Sequence, residues 1–234
     1  MFISGYLITS IIIEDLENSK FSLWNFYERR ARRILPALFL VIFVCIPFAW
    51  VWMSQAQLKD FSQSLIAVSF FVSNFLFWKE SGYFDTVVEE KPLLHTWSLA
   101  VEEQFYIVFP ILLIFLWGFG KRKTFWFIMI LSAISLFISQ LGWRNFEVAN
   151  FYLAPSRAWE LFSGSMSAFI LKKRGNQNNN FFSISGLIAI IFSILYFNKS
   201  TPFPSIYTLI PVLGTVLIII YGNKDTYIAK LLGN

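Results

Sequence analysis

The groups able to move or hold a proton crowd into one stretch, Pro92-Leu93-Leu94-His95-Thr96-Trp97-Ser98-Leu99-Ala100-Val101-Glu102-Glu103-Gln104-Phe105-Tyr106, directly before an apolar run. On a helix, His95, Leu99, Glu102 and Tyr106 fall at i, i+4, i+7 and i+11 and share one face. An imidazole and a carboxylate so placed could share a pocket for proton transfer or substrate orientation. The competing reading is that Glu102 and Glu103 only favour a helix N-terminus, with His95 a satisfied interfacial side chain. Against it, His95 is the single histidine of the chain.

Two further sets carry charge. Arg29, Arg30, Arg32 and Arg33 precede Ile34-Leu35-Pro36, where a new apolar run begins. Arginine forks grip phosphate oxygens in pairs, so this cluster could hold a nucleotide-bearing donor, although most such clusters only orient helices. Arg157 and Glu160, in Pro155-Ser156-Arg157-Ala158-Trp159-Glu160-Leu161, stand at i and i+3 and can pair with each other or contact substrate. The chain contains no glycine-rich phosphate loop, no cluster with metal-ligand spacing and no Gly-x-Ser-x-Gly elbow, which argues against an ATPase, a metalloenzyme and a soluble-type hydrolase.

The elements that must position these residues are apolar helices. Of 234 residues, 56% are hydrophobic, 20% aromatic and only 14% charged, and mean hydropathy is +0.60. Soluble domains carry about 25% charged residues. A membrane-crossing helix needs about 20 predominantly apolar residues. Ile34 to Met53, Thr124 to Trp143, Gly175 to Asn198 and Ser200 to Asn223 are each free of Asp, Glu, Lys and Arg. Shorter runs cover Met1 to Ile13, Phe61 to Trp78, Gln104 to Gly120 and Leu161 to Leu171. The expected fold is therefore all-α, a polytopic transmembrane helical bundle of about seven or eight membrane segments, one of them a candidate re-entrant segment. Cys45 lies inside an apolar run, has no partner for an intrachain disulfide and reads as a small buried hydrophobe.

The net charge of +5 does not point to nucleic acid, because the basic residues gather at the ends of apolar runs. Arg29 to Arg33, Lys121 to Lys123 and Lys172 to Arg174 follow the positive-inside pattern and are expected in the cytoplasm. Lys79 and Lys91 are outnumbered by Glu80, Asp85, Glu89, Glu90, Glu102 and Glu103, which places that connection outside. Three apolar runs lie between Arg33 and Lys121, yet two cytoplasmic ends require an even number of crossings. Either Phe61 to Trp78, rich in Ser and carrying Gln63 and Asn74, re-enters or lies among other helices, or all three runs cross and Lys121 to Lys123 breaks the rule. Asn176 to Asn180 reads as a short polar linker, and no fixed-period repeat is present.

Four motifs, taken in order, resemble the membrane-bound acyltransferase 3 family, whose members O-acetylate lipopolysaccharide, peptidoglycan and other exported glycans. They are Ile3-Ser4-Gly5-Tyr6-Leu7-Ile8-Thr9, Phe26-Tyr27-Glu28-Arg29-Arg30-Ala31-Arg32-Arg33-Ile34-Leu35-Pro36, Leu94 to Tyr106, and Pro155 to Leu161. The third is long and specific, and together they cover essentially all of residues 1–234. The fourth resembles the branch in which a secreted SGNH-type hydrolase domain often follows the membrane part.

The resemblance implies an all-helical enzyme of the bacterial plasma membrane, crossing it several times. Its reaction would transfer an acyl group, foremost acetyl, from acyl-CoA to hydroxyls of a cell-envelope carbohydrate such as lipopolysaccharide O-antigen or peptidoglycan. Acetyl-CoA or another acyl-CoA would be the donor substrate, with no tightly bound cofactor, no metal and no nucleic-acid partner; glycan and membrane lipids complete the partners. The Arg-x-x-Arg pattern (Arg29/Arg32 or Arg30/Arg33) would sit near the donor, His95, Glu102 and Glu103 would support catalysis, and Trp97, Tyr106, Arg157 and Glu160 would face substrate. Two departures stand out. The family's catalytic histidine is expected on a first helix that would precede Met1, and its closing Ser-Tyr-x-Leu-Tyr-Leu-Trp-His helix does not occur before Asn234. The resemblance thus implies a fragment lacking the first helix and the C-terminal end. A non-catalytic fragment and a glycan transporter or flippase are the alternative readings; the second is disfavoured by the lack of two related halves with paired broken helices.

Overall fold

The computed structural model describes residues 1–81, 91–175, 177–198 and 200–232. Asp85, Glu89, Glu90 and Asn176, named above, lie outside them. The described residues form α1 (Phe2–Glu17), α2 (Leu23–Trp52), α3 (Gln55–Ser69), α4 (Ser73–Glu80), α5 (Thr96–Trp117), α6 (Lys121–Asn145), α7 (Glu147–Tyr152), α8 (Ala154–Arg174), α9 (Asn180–Tyr196), α10 (Leu209–Tyr221) and α11 (Tyr227–Leu232). An isolated antiparallel bridge joins Asn178 to Gly222. They fall into two compact units, one made of Met1–Glu14 and Leu112–Asn234, the other of Asp15–Ile111.

Three of these helices, α2, α5 and α6, are long and apolar enough to cross a membrane, and α9 and the segment Ile206–Tyr221 are shorter apolar helices. Charge-free runs overstate helix length for a physical reason. In Gly175 to Asn198 and Ser200 to Asn223 the ends are spent on caps and turns: Asn179 caps α9 by accepting from Phe181 and Phe182 N–H groups, and Ser205 caps a short 3-10 turn over Ile206–Thr208. Side-chain oxygens that satisfy a helix's first N–H groups set its start whatever the hydropathy of the flanks.

Within the Asp15–Ile111 unit, α2 runs unbroken for 30 residues through Pro36 and Pro47, so the arginines ride on the same helix as the apolar run. Leu38, Ile42 and Ala49 of α2 pack with Phe61 and Val68 of α3 and with Leu93, with Leu99 beside them. The Phe61 to Trp78 run is not one helix. It breaks between α3 and α4, where Phe71 takes a left-handed φ of 55°. A non-glycine residue pays on the order of 1–2 kcal/mol there, and Gln104 of α5 offsets it by donating to the Phe71 carbonyl at 3.0 Å and to Asn74 Oδ1 at 2.9 Å. The Thr96 and Ser73 hydroxyls lie in hydrogen-bond contact at 3.1 Å, and Lys91 pairs with Glu80 at 2.7 Å.

In the other unit, α1 and α8 approach until only glycine fits between them. A Cβ at Gly5 would fall on the Leu161 carbonyl, and one at Gly164 on the Phe2 carbonyl and the Tyr6 nitrogen. Close by, Thr9 donates to Ser165 Oγ at 2.8 Å, both side chains fully buried. Gly186 and Gly214 do the same for α9 and α10, a Cβ on either lying 2.6–2.7 Å from the other's carbonyl oxygen. Such small-residue contacts let backbones touch where lipid supplies no hydrophobic drive between helices. Gly164→Ala is therefore expected to cost about 1–3 kcal/mol and to lower the melting temperature of the detergent-solubilised protein. Gly118→Ala should not, since its Cβ meets only the Phe115 carbonyl at 3.7 Å. Equal melting of the two variants would show that the α1–α8 contact can relax.

Candidate functional site

The Asp15–Ile111 unit brings together charges that the sequence separates by some seventy positions. α2 and α5 run antiparallel there: the Tyr27 hydroxyl donates to the Ile107 carbonyl at 2.8 Å. Further along α2, the Arg30 guanidinium lies 5.1 Å from the ring centre of Tyr106 and 5.7 Å from that of Phe26. Stacking of this kind holds a guanidinium flat against an apolar wall while leaving its edge free to bond. Arg30 thus meets the second and third turns of α5, roughly 10 Å along that helix, rather than a helix end.

Glu103 is the most deeply placed acid of this unit among the described residues, 8% exposed. Its Oε1 has no hydrogen-bond partner among the described residues, and the Arg30 charge acts on it across the α2–α5 contact. A buried carboxylate oxygen left open is costly unless a partner arrives, so it marks a place where a ligand donor or a water is accepted. Glu102, half-buried, accepts from the Tyr106 hydroxyl at 3.2 Å. The stacked rings of Phe105 and Phe109, 4.5 Å apart, continue the wall. Charged side chains among apolar helices of this kind mark functional positions by default.

The remaining arginines are exposed. Arg29 pairs with Asp15 at 3.1 Å, and Arg32 grips Glu28 of its own helix through two nitrogens, at 2.7 and 3.0 Å. Exposed pairs of this sort are worth about 0–1 kcal/mol, so an arriving phosphate can exchange with them at little cost. Arg33 is exposed one turn beyond Arg29 and Arg30. On the helix Arg33 falls between Arg29 and Arg30, while Arg32 lies on the far side of Arg29 from them.

His95 departs from expectation. α5 begins at Thr96, so His95 lies in the turn directly before the helix and is exposed, where it was expected inside a helix with Glu102 and Tyr106. The Thr96 hydroxyl turns back to the Leu93 carbonyl at 2.7 Å and ends the turn there. Trp97 is half-buried in the first turn of α5. Gln104, which joins Phe71 and Asn74 of the broken α3–α4 segment to α5, was missed by sequence reasoning; a glutamine beside two glutamates carried no signal without the fold.

Arg157 and Glu160 belong to the other unit and form the pair their spacing allowed. The Arg157 Nη1 lies 3.3 Å from Glu160 Oε1, with side chains 3% and 11% exposed. Arg157 Nε donates to the Phe151 carbonyl at 3.1 Å, and the guanidinium sits between the rings of Phe151 and Phe203, 4.9 and 4.4 Å from their centres. Among the described residues no group of three or more His, Cys, Asp or Glu is placed to hold a metal ion.

Comparison with known proteins gives the same direction. The chain is 33% identical over 234 residues to an uncharacterized protein of Haemophilus influenzae, covering 93% of this chain and 94% of that one. It is 31% identical over 247 residues to the peptidoglycan O-acetyltransferase of Listeria monocytogenes, covering 98% of this chain but 39% of that protein. No solved structure matches. The family described as "Acyltransferase domain" matches residues 1–225, and with helices long and apolar enough to cross a membrane, this chain belongs to that family of membrane acyltransferases, acyltransferase 3.

Proposed function

We propose that the protein transfers an acyl group, acetyl foremost, from acyl-CoA to hydroxyls of a cell-envelope carbohydrate, peptidoglycan or the O-antigen of lipopolysaccharide. The observation that carries this reading is the stacking of Arg30 on Tyr106, one helical turn from Glu103, whose buried Oε1 has no hydrogen-bond partner among the described residues. In this reading Arg30 and Arg33, with Arg29 and Arg32 exchanging out of their surface pairs, hold the phosphates of the CoA. The Glu103 carboxylate accepts a hydrogen bond from the substrate and positions the thioester, with Glu102 held by Tyr106 beside it. Trp97 offers an aromatic face to the acceptor sugar. His95, exposed before α5, serves at the mouth of the site rather than within it. The protein resides in the bacterial plasma membrane and crosses it through α2, α5 and α6, with α9 and α10 completing further crossings; α3 and α4 form the re-entrant segment. The peptidoglycan O-acetyltransferase relative supports an envelope glycan as acceptor.

The test is base-labile acetate released from envelope glycan of cells overproducing the protein, normalised to protein in the membrane. Glu103→Gln keeps the side chain's shape and removes its charge. Loss of one hydrogen bond to a charged group, about 1.5–3 kcal/mol, corresponds to roughly a 10–100-fold fall in rate. Release equal to that of cells without the protein would refute the acyl-transfer reading, and undiminished release by Glu103→Gln would remove Glu103 from the site.

A further inference from the structure

We propose that the Leu112–Asn234 unit carries a binding surface for anionic phospholipid headgroups, built by the antiparallel pairing of α6 with α8. The pairing register is explicit. Phe125 lies 6.2 Å from Phe169 by ring centres, the Ser132 hydroxyl donates to the Trp159 carbonyl at 3.4 Å, and the Ser135 hydroxyl to the Pro155 carbonyl at 2.5 Å. As residue numbers rise on α6 they fall on α8. Continued one turn outward from Phe125 and Phe169, this register sets Lys121, Arg122 and Lys123, which open α6, across from Lys172, Lys173 and Arg174, which close α8. All six side chains are exposed.

Fifty residues of sequence separate the two triplets, and neither alone exceeds what orienting a helix requires. Together they form one patch of six cations at a single end of two packed helices, one of them, α6, apolar enough to cross a membrane. The surroundings suit a lipid headgroup layer. Trp117 carries Lys121 over its ring at 5.5 Å and stands 6.5 Å from Phe169 by ring centres, while Phe119 and Trp126 are exposed beside the basic residues. Aromatic side chains next to lysine and arginine at the end of an apolar helix occupy the depth of the headgroups. The backbone pairing of Gln177 with Ile220 and of Asn179 with Tyr221 brings the end of α10 to the same place. The acid it delivers there, Asp225, already accepts from Asn178 Nδ2 at 2.9 Å. A cluster of four to eight basic residues at such a boundary attracts anionic lipid at about 1 kcal/mol per side chain, or roughly fivefold in local lipid preference for each.

The experiment uses the purified whole chain in nanodiscs of phosphatidylcholine containing phosphatidylglycerol, with lipids retained on the protein identified by native mass spectrometry. The expected result is enrichment of phosphatidylglycerol over its share in the disc. That enrichment should collapse in 0.5 M salt, fall about fivefold for Lys173→Gln alone and persist when the six residues are exchanged Lys for Arg and Arg for Lys. Retention in proportion to the disc composition, or enrichment indifferent to salt, would overturn the proposal. So would displacement of the retained lipid by stoichiometric CoA, which would make the patch a site for soluble phosphates. The salt arm uses the unaltered protein, so a variant that failed to insert would leave the outcome decided.

Discussion

Replacing Arg30 and Arg33 together with alanine is expected to weaken acetyl-CoA binding by about 10²–10⁴-fold. Hydrogen bonds to charged groups are worth about 1.5–3 kcal/mol each, and the double variant removes two guanidinium groups from one side of α2. Their contributions should differ. Arg30 is held against the Tyr106 and Phe26 rings, so it gives up little side-chain freedom on binding, whereas Arg33 is exposed and must be ordered when the donor arrives. Arg30→Lys separates charge from shape: an ammonium keeps the charge but neither stacks as a plane nor forks onto two phosphate oxygens. It should bind the donor between the parent and Arg30→Ala. Calorimetry with acetyl-CoA on the solubilised protein checks this, with melting temperature confirming that each variant is folded. Unchanged affinity in the double variant would return the arginines to a purely orienting role.

Arg157→Met should destabilise the protein by about 3–5 kcal/mol, the range found when one partner of a buried ion pair is removed. The cost arises in what is left behind. Glu160 would keep its carboxylate in an interior where its side chain is 11% exposed, and the Phe151 carbonyl would lose the Nε donor that now satisfies it. Removing both charges, as Arg157→Met with Glu160→Leu, should recover much of the loss, because well-packed apolar groups of similar volume replace buried pairs with little net penalty. Thermal melting of the three variants in one detergent gives the coupling between the residues directly. A single variant as stable as the double would mean that the carboxylate reaches water or another cation once Arg157 is gone. The comparison also bears on function. A guanidinium bonded to Glu160 and stacked between two rings is fixed in place, whereas Arg29 and Arg32 are held by exposed pairs.

What the sequence by itself determined is what depends on neighbours along the chain. All-helical architecture, membrane character and family membership follow from charge-free runs and contiguous motifs, and these survive any packing of the helices. The Arg157–Glu160 pair was legible for the same reason, since residues three apart on one helix share a side. Even locally the reading stopped at caps and turns. Helical spacing sets His95 one turn from Leu99, yet the helix begins at Thr96, whose hydroxyl bonds back to the Leu93 carbonyl, and His95 lies in the turn before it. The Phe61 to Trp78 run has no proline or glycine to announce its break at Phe71; that break persists because Gln104, thirty-three positions on, bonds the Phe71 carbonyl. Only the tertiary structure decided that Arg30 of α2 stacks on Tyr106 of α5, that Gly5 and Gly164 lie where two backbones touch, and that two basic triplets share one end of the α6–α8 pair. Hydropathy and helical periodicity are set by each segment against its solvent, whereas these contacts depend on which distant segments fit closest to one another, and in an apolar medium that choice rests on shape and on a few polar bonds that no single segment reveals.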